Sequence, residues 1–195
     1  MLKILVLGDR FITCETMIAV LEAVFLDSGE KLEYICYSDN WPVEPLIRND
    51  EVSEFVGDED EIAALAAGVD FILTHSAPVT LKVLEKASES LKAVAAARGG
   101  PVNINSKACT ERGIPIFYSA GSKGGAVAEF TVALMLAESR NLGRSHGSMM
   151  YEKKWRGDLY VNDKSGNEIG SSVVGLIGLG AIGKLHAPEN MDRVG

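Results

Sequence analysis

Residues 2–7 are apolar except for Lys3 and are closed by Gly8 and Asp9, the pattern of a buried strand and its turn. Met17, Val20, Leu21, Val24 and Phe25 then recur at helical spacing, which predicts an amphipathic helix over 14–26. A second strand is expected over 32–37, followed by a loop over 39–49 in which Pro42 and Pro45 surround Trp41. The acidic run 58–61 opens a helix ending near Gly68, where negative charge suits the positive end of the helix dipole. Further along come a strand over 69–74, a helix over 79–87 and a strand over 91–96 that runs into Arg98, Gly99 and Gly100. A short helix over 106–112, stopped by Gly113, leads to a strand over 114–118. Strands alternating with helices predict an α/β fold with a parallel sheet covered on both faces.

The pattern changes at the small, flexible run 121–125, which divides the chain into residues 1–120 and 121–195. Beyond it, residues 126–140 are apolar on most faces and predict a buried helix. A second helix is expected over 144–155, with Met149, Met150 and Trp155 serving packing or a subunit contact, and then a polar loop over 158–170. The apolar run 173–177 predicts a buried parallel strand. It leads into Gly178-Leu-Gly180-Ala181-Ile182-Gly183, the G-x-G-x-x-G spacing of a dinucleotide fingerprint. There the first glycine allows a tight turn, the second lets the backbone approach a pyrophosphate, and the third lets a helix pack closely. The competing reading is a glycine-rich turn with no ligand.

Composition narrows the function classes. A formal charge of −8 and a pI of about 4.9 argue against a nucleic-acid partner. No apolar run approaches the roughly 20 residues of a membrane helix, so no membrane partner is expected. Cys14, Cys36 and Cys109 are widely spaced, which fits reduced thiols in a cytoplasmic protein and neither a disulfide framework nor a metal site. In parallel sheets ligands bind beyond the C-terminal ends of the strands. That rule singles out residues 74–76, 98–103 and 119–121, with Arg98 either an anion contact or a salt-bridge partner.

Five stretches occur in order: Leu91-Lys-Ala-Val-Ala-Ala-Ala-Arg-Gly-Gly-Pro-Val-Asn-Ile-Asn105, Glu111-Arg-Gly-Ile-Pro115, Ala126-Val-Ala-Glu-Phe130, Leu134-Met-Leu-Ala-Glu-Ser-Arg140 and the glycine run 178–183. Together they resemble the D-isomer-specific 2-hydroxyacid dehydrogenases, the family that includes phosphoglycerate dehydrogenase. The resemblance implies a flavodoxin-like substrate domain over 1–120, followed by the truncated start of a Rossmann domain over 121–195. It implies hydride transfer between NAD(H) and a 2-hydroxy or 2-keto acid. Gly99 and Gly100 would present backbone N–H groups to the substrate carboxylate, with Asn103 at the end of the same loop and His75 and Ser76 as short polar contacts. Gly178, Gly180, Ala181, Ile182 and Gly183 would carry the cofactor, and the full-length protein is expected to be a homodimer.

The chain departs from the family at Lys123, where close relatives tend to carry asparagine, and after Lys184, where they continue an apolar helix. The family's catalytic arginine, acid and histidine are expected beyond residue 195, so no catalytic residue is assigned. A truncation, a frameshift or an incomplete gene model would each account for that ending. Residues 1–195 alone are expected not to turn over, and to be aggregation-prone or partly molten after about residue 120. A non-enzymatic small-acid or nucleotide-binding module, or a fragment without function, stays open beside the enzyme.

Overall fold

The computed structural model describes residues 1–40 and 47–186, so the predicted loop residues Trp41, Pro42 and Pro45 lie outside the described residues. Two compact units divide the chain, Met1–Ala120 and Gly121–Gly195.

In the first unit the elements run β1 (Leu2–Asp9), α1 (Cys14–Phe25), β2 (Leu32–Asp39), β3 (Ile47–Arg48), β4 (Ser53–Phe55), α2 (Glu59–Leu65) and β5 (Phe71–Thr74). They continue as α3 (Leu81–Ala87), β6 (Ala93–Ala96), α4 (Ser106–Glu111) and β7 (Ile116–Tyr118). Five strands form one parallel sheet in the order β2-β1-β5-β6-β7, with Ile4 of β1 in register with both Tyr34 and Phe71. This is the flavodoxin-like order, in which the chain builds outward from β1 on one side and then crosses to build the other.

Alternation along β1 sorts its side chains between two faces. Leu5 and Leu7 pack with Ile72, Val94 and residues of α2, α3 and α4, including Ile62, Val83, Leu84 and Cys109. Ile4 and Val6 face Cys14 and Met17 of α1. Each fully buried Leu, Ile or Val contributes about 1.5–3 kcal/mol, so the first face supplies most of the cohesion. The helices begin where side chains accept the orphan amides of their first turns. Thr13 Oγ1 takes Thr16 N at 3.3 Å, Asp58 Oδ1 takes Asp60 N and Glu61 N at 2.8 and 3.0 Å, and Asn105 Oδ1 takes Ala108 N at 2.9 Å.

The antiparallel pair β3–β4 was not predicted, because two residues against three across a register shift leave no periodic trace.

The second unit contains α5 (Gly124–Ser139), α6 (Leu142–Gly147) and the short α7 (Gly183–His186). Three expectations fail here. The run 173–177 is not a strand, and Val173 and Ile177 are fully exposed. A strand needs a neighbour to take its ladder hydrogen bonds, and no other strand occurs among the described residues of this unit. The helix expected to be buried is instead largely exposed: only Gly124 and Ala128 are buried, and Phe130 is 64% exposed. Apolar residues on every side of a helix cannot all be covered by a single neighbouring layer. The helix predicted over 144–155 breaks after Gly147 into a π-helical turn, Ser148–Glu152, closed by left-handed Lys153. Ser148 Oγ turns to Glu152 Oε2 and Lys154 O, bonds that compete with a continuous helix. Among the described residues no helix is long and apolar enough to cross a membrane.

Candidate functional site

The order of the sheet places its switch point between β1 and β5, where consecutive connections leave in opposite directions. At that point β1 ends on Asp9 and β5 on Thr74, and the loops that follow are tied together. His75 N donates to Leu7 O at 3.1 Å and Ala97 N to Thr74 O at 2.8 Å, joining the ends of β1, β5 and β6. The loop after β6 is held by Ser53 N to Val102 O at 2.9 Å and by Val79 N to Asn103 O at 2.8 Å.

Asp9 organises the switch point. Its side chain is fully buried. Oδ1 accepts from Phe11 N at 2.8 Å and Ile12 N at 2.9 Å, and Oδ2 accepts from His75 Nδ1 at 2.6 Å and from Ser76 Oγ. Burial pushes the Asp9 carboxyl up, but the hydrogen bonds from Ser76, Ile12, His75 and Phe11 together outweigh it and hold it below the usual carboxylate range. Phe11, 57% exposed, stacks on the His75 ring with centroids 5.5 Å apart, while His75 itself is only 6% exposed. Sequence reasoning missed Asp9, reading it as the end of a turn. The available signal was an Asp at the end of a buried strand, a position where its carboxylate can collect the amides two and three residues on.

Of the residues singled out in the first unit, hydrogen bonds link His75, Ser76 and Asn103 at the ends of β1 and β5. His75 and Ser76 share Asp9. Asn103 lies beneath them, fully buried, its Nδ2 donating to Ala77 O at 2.8 Å and to Thr74 Oγ1 and His75 O at 3.3 Å each. Its Oδ1 has no partner among the described residues. Gly99 and Gly100 behave differently from the other glycines of this unit. Neither has a φ in the left-handed region, and a Cβ built on either would meet nothing within 4 Å. The fold therefore does not require glycine at either position, whereas close approach of a ligand to the backbone would. Arg98, just before them, is a salt-bridge partner: it bonds Glu54 Oε2 at 2.6 Å and Glu54 O at 3.0 Å.

In the second unit the three glycines of the turn differ in conformation and surroundings. Gly178 takes φ +93°, which only glycine adopts readily. Gly183 packs so tightly on Gly178 O that a Cβ would collide with it. Gly180 faces open space, which a phosphate group could fill without disturbing the protein. Ala181 and Ile182 complete the turn into α7, and Ala181 Cβ lies where a side chain on Gly121 would have to go. Hollows of about 300 and 540 Å³ in this unit are lined within residues 138–166 and share no residue with the turn. The apolar lead-in at 173–177 is irregular, so the turn stands without the strand that precedes it in the sequence prediction.

Residues 43–184 match the family described as D-isomer specific 2-hydroxyacid dehydrogenase, catalytic domain. The chain belongs to this family. It is 34% identical over 130 residues to D-3-phosphoglycerate dehydrogenase of Mycobacterium tuberculosis, covering 67% of this chain and 24% of that protein. It is 33% identical over 143 residues to hydroxypyruvate reductase of Thermotoga maritima, covering 71% of this chain and 45% of that protein. Thus the chain spans about a quarter of the first relative's length and just under half of the second's. The structure of D-2-hydroxyisocaproate dehydrogenase shares the fold, with a TM-score of 0.58 and 26% identity over 94% of this chain and 48% of that one. As a D-2-hydroxyacid dehydrogenase family member, the chain has the α/β fold the sequence predicts, with the flavodoxin-like order in its first unit.

Proposed function

We propose that this protein binds the 2-keto or 2-hydroxy acid substrate of an NAD-dependent oxidoreductase acting on the CH–OH group. In this reading residues 1–120 hold the substrate and the turn at 178–183 begins the cofactor site. The observation that carries it is the pair Gly99 and Gly100, which sit beside the switch point and which the fold itself does not need as glycine. Backbone N–H groups there suit a carboxylate, since they donate without a side chain in the way. His75, held by Asp9, supplies a polar ring at the same end of the sheet. The open face of Gly180 fits a pyrophosphate, with Gly178 and Gly183 shaping the turn around it. When bound, NAD(H) supplies the hydride chemistry, and the protein's part is to orient the acid and exclude water. A cytoplasmic, homodimeric full-length protein belongs to the same reading, supported by the free thiols and by the exposed apolar residues of α5.

The test is a pair of substitutions that the fold tolerates. Gly99→Ala and Gly180→Ala should leave thermal stability within about 1 kcal/mol of wild type. Gly99→Ala should weaken binding of a 2-keto acid and Gly180→Ala binding of NADH, each by ten-fold or more. Unchanged affinities in both variants would overturn the assignment. Binding of either ligand without turnover in the full-length protein would favour a non-enzymatic binding module.

A further inference from the structure

The three cysteines are divided by the sheet. Cys109 belongs to the cluster of Leu5, Leu7 and Val94 on one face, whereas Cys14 packs with Ile4, Val6 and Met17 on the other. Cys36 falls on the Cys14 side. In β2, Ile35 and Tyr37 pack toward the Cys109 cluster and Leu32 and Tyr34 toward the Cys14 cluster, so alternation turns Cys36 the same way as Leu32 and Tyr34. In the parallel ladder Cys36 stands opposite Val6. Cys14 Sγ lies 3.5 Å from Val6 O and 3.2 Å from Tyr37 O, so the thiol at the start of α1 reaches over β1 to the backbone of β2. Gly8 permits that approach: a Cβ there would stand 2.6 Å from Cys14 N and 2.9 Å from its Sγ. Burial pushes the Cys14 thiol up to about 11, against a lowering hydrogen bond from the Gly8 amide. The Cys36 thiol, close enough to hydrogen-bond it, pushes it the same way as burial does. Of these two neighbours, Cys14 is buried and Cys36 is exposed.

We propose that Cys14 and Cys36 are a redox pair: a peroxide oxidises Cys36 at the surface, and Cys14 resolves the product into a disulfide that ties the start of α1 to β2. In the first step the Cys36 thiolate attacks one peroxide oxygen and the O–O bond breaks. Cys36 becomes a sulfenic acid, and the departing hydroxide takes up a proton as water. In the second step Cys14 Sγ attacks Cys36 Sγ, the S–O bond breaks, and the hydroxide leaves as a second water with the Cys14 proton. Two thiols are thereby oxidised and one peroxide is reduced. Cys14 is seldom ionised at neutral pH, so the second step is the slow one and reagents meet Cys36 first. Cys109, on the far face of the sheet, takes no part. Neither thiol belongs to the proposed acid or cofactor sites, so the pair holds whether or not the first unit takes a keto acid.

The experiment treats the reduced native chain with hydrogen peroxide at neutral pH, blocks the remaining thiols in denaturant and maps the cysteines by non-reducing mass spectrometry. The wild type should yield an intramolecular Cys14–Cys36 link with Cys109 still reduced, and dithiothreitol should restore all three thiols. The same treatment in urea should spread pairing over the three cysteines. Cys14→Ser should leave Cys36 at the sulfenic acid, so that trapping by dimedone rises about five-fold or more over wild type. A wild type without the Cys14–Cys36 link overturns the proposal, whether its thiols stay reduced, stop at the sulfenic acid or pair through Cys109 or between chains. That result needs no variant to fold. A native pattern of links matching the one in urea also overturns it, and equal dimedone trapping in wild type and Cys14→Ser overturns the resolving role of Cys14.

Discussion

Arg98 grips Glu54 twice, at the carboxylate through one guanidinium nitrogen and at the backbone carbonyl through another. Glu54 needs holding, because its φ of +52° is left-handed, a region that costs a side-chain-bearing residue about 1–2 kcal/mol. The pair thereby fastens the β3–β4 hairpin to the residue that introduces Gly99 and Gly100. Glu54→Ala keeps the strain and loses the carboxylate, whereas Glu54→Gly loses both. Glu54→Gly should therefore be more stable than Glu54→Ala by about 1 kcal/mol in urea unfolding. Equal stabilities would mean that the hairpin relaxes away from the left-handed geometry.

Asn103 is an internal clasp. Removing its amide withdraws a donor from Thr74 Oγ1, His75 O and Ala77 O together. Asn103→Ala should destabilise the first unit by about 1–3 kcal/mol, the cost of leaving buried polar groups unmet. Asn103→Asp should cost at least as much, since a carboxylate would face the carbonyl oxygens of His75 and Ala77. Chemical denaturation of the two variants measures both, and a loss below about 0.5 kcal/mol in either would contradict this account.

The three thiols should differ sharply in reactivity. Cys36 is exposed, whereas Cys14 and Cys109 are buried and burial pushes each thiol up to about 11. Cys14 also lies 3.2 Å from Tyr37 O, to which its thiol donates. Since only the thiolate reacts, a disulfide reagent at neutral pH should label one thiol per native chain and three per unfolded chain. Rapid labelling of Cys109 in the native protein would show that α4 opens from the sheet.

Acid should weaken the first unit through Asp9. Its carboxyl ionises at lower pH in the folded protein than in the unfolded chain. The charged form is thus favoured by folding, and its contribution is complete above the unfolded carboxylate range near pH 3.9. It is lost as the pH falls through the lower folded value. Asp9→Asn should be less stable than wild type at pH 7, and the gap should narrow steadily below about pH 4. A gap of constant size down to pH 2 would show that the carboxylate's charge plays no part.

The first unit was legible because its strands and helices carry their own periodicities. Residues 69–74 and 91–96 are largely apolar runs between turn signals that contain β5 and β6, and the run 2–7 makes up most of β1, which continues to Asp9. His75, Ser76, Gly99, Gly100 and Asn103 were legible as candidates, because ligands of a parallel sheet bind beyond the C-terminal ends of its strands. Asp9 was not, since its meaning depends on His75, 66 residues away. The 173–177 run misled for a related reason: apolar sequence states a willingness to be a strand, but a strand exists only with a neighbour. The exposure of α5 follows the same logic, because burial belongs to the surroundings of a helix as well as to its composition.

The place of β1 between β2 and β5 also sets a timetable. β1 can pair at once with β2, its neighbour in sequence, but its other edge waits for Phe71–Thr74. At a synthesis rate of about 5–20 residues per second, some seconds pass between the emergence of Asp39 and that of Thr74. Throughout that interval the chain presents an open, apolar strand edge in which Leu5 and Leu7 have no second partner. Asp9 and His75 become one unit only when that edge closes, so the switch point is assembled by the same event that ends the exposure of the nascent sheet.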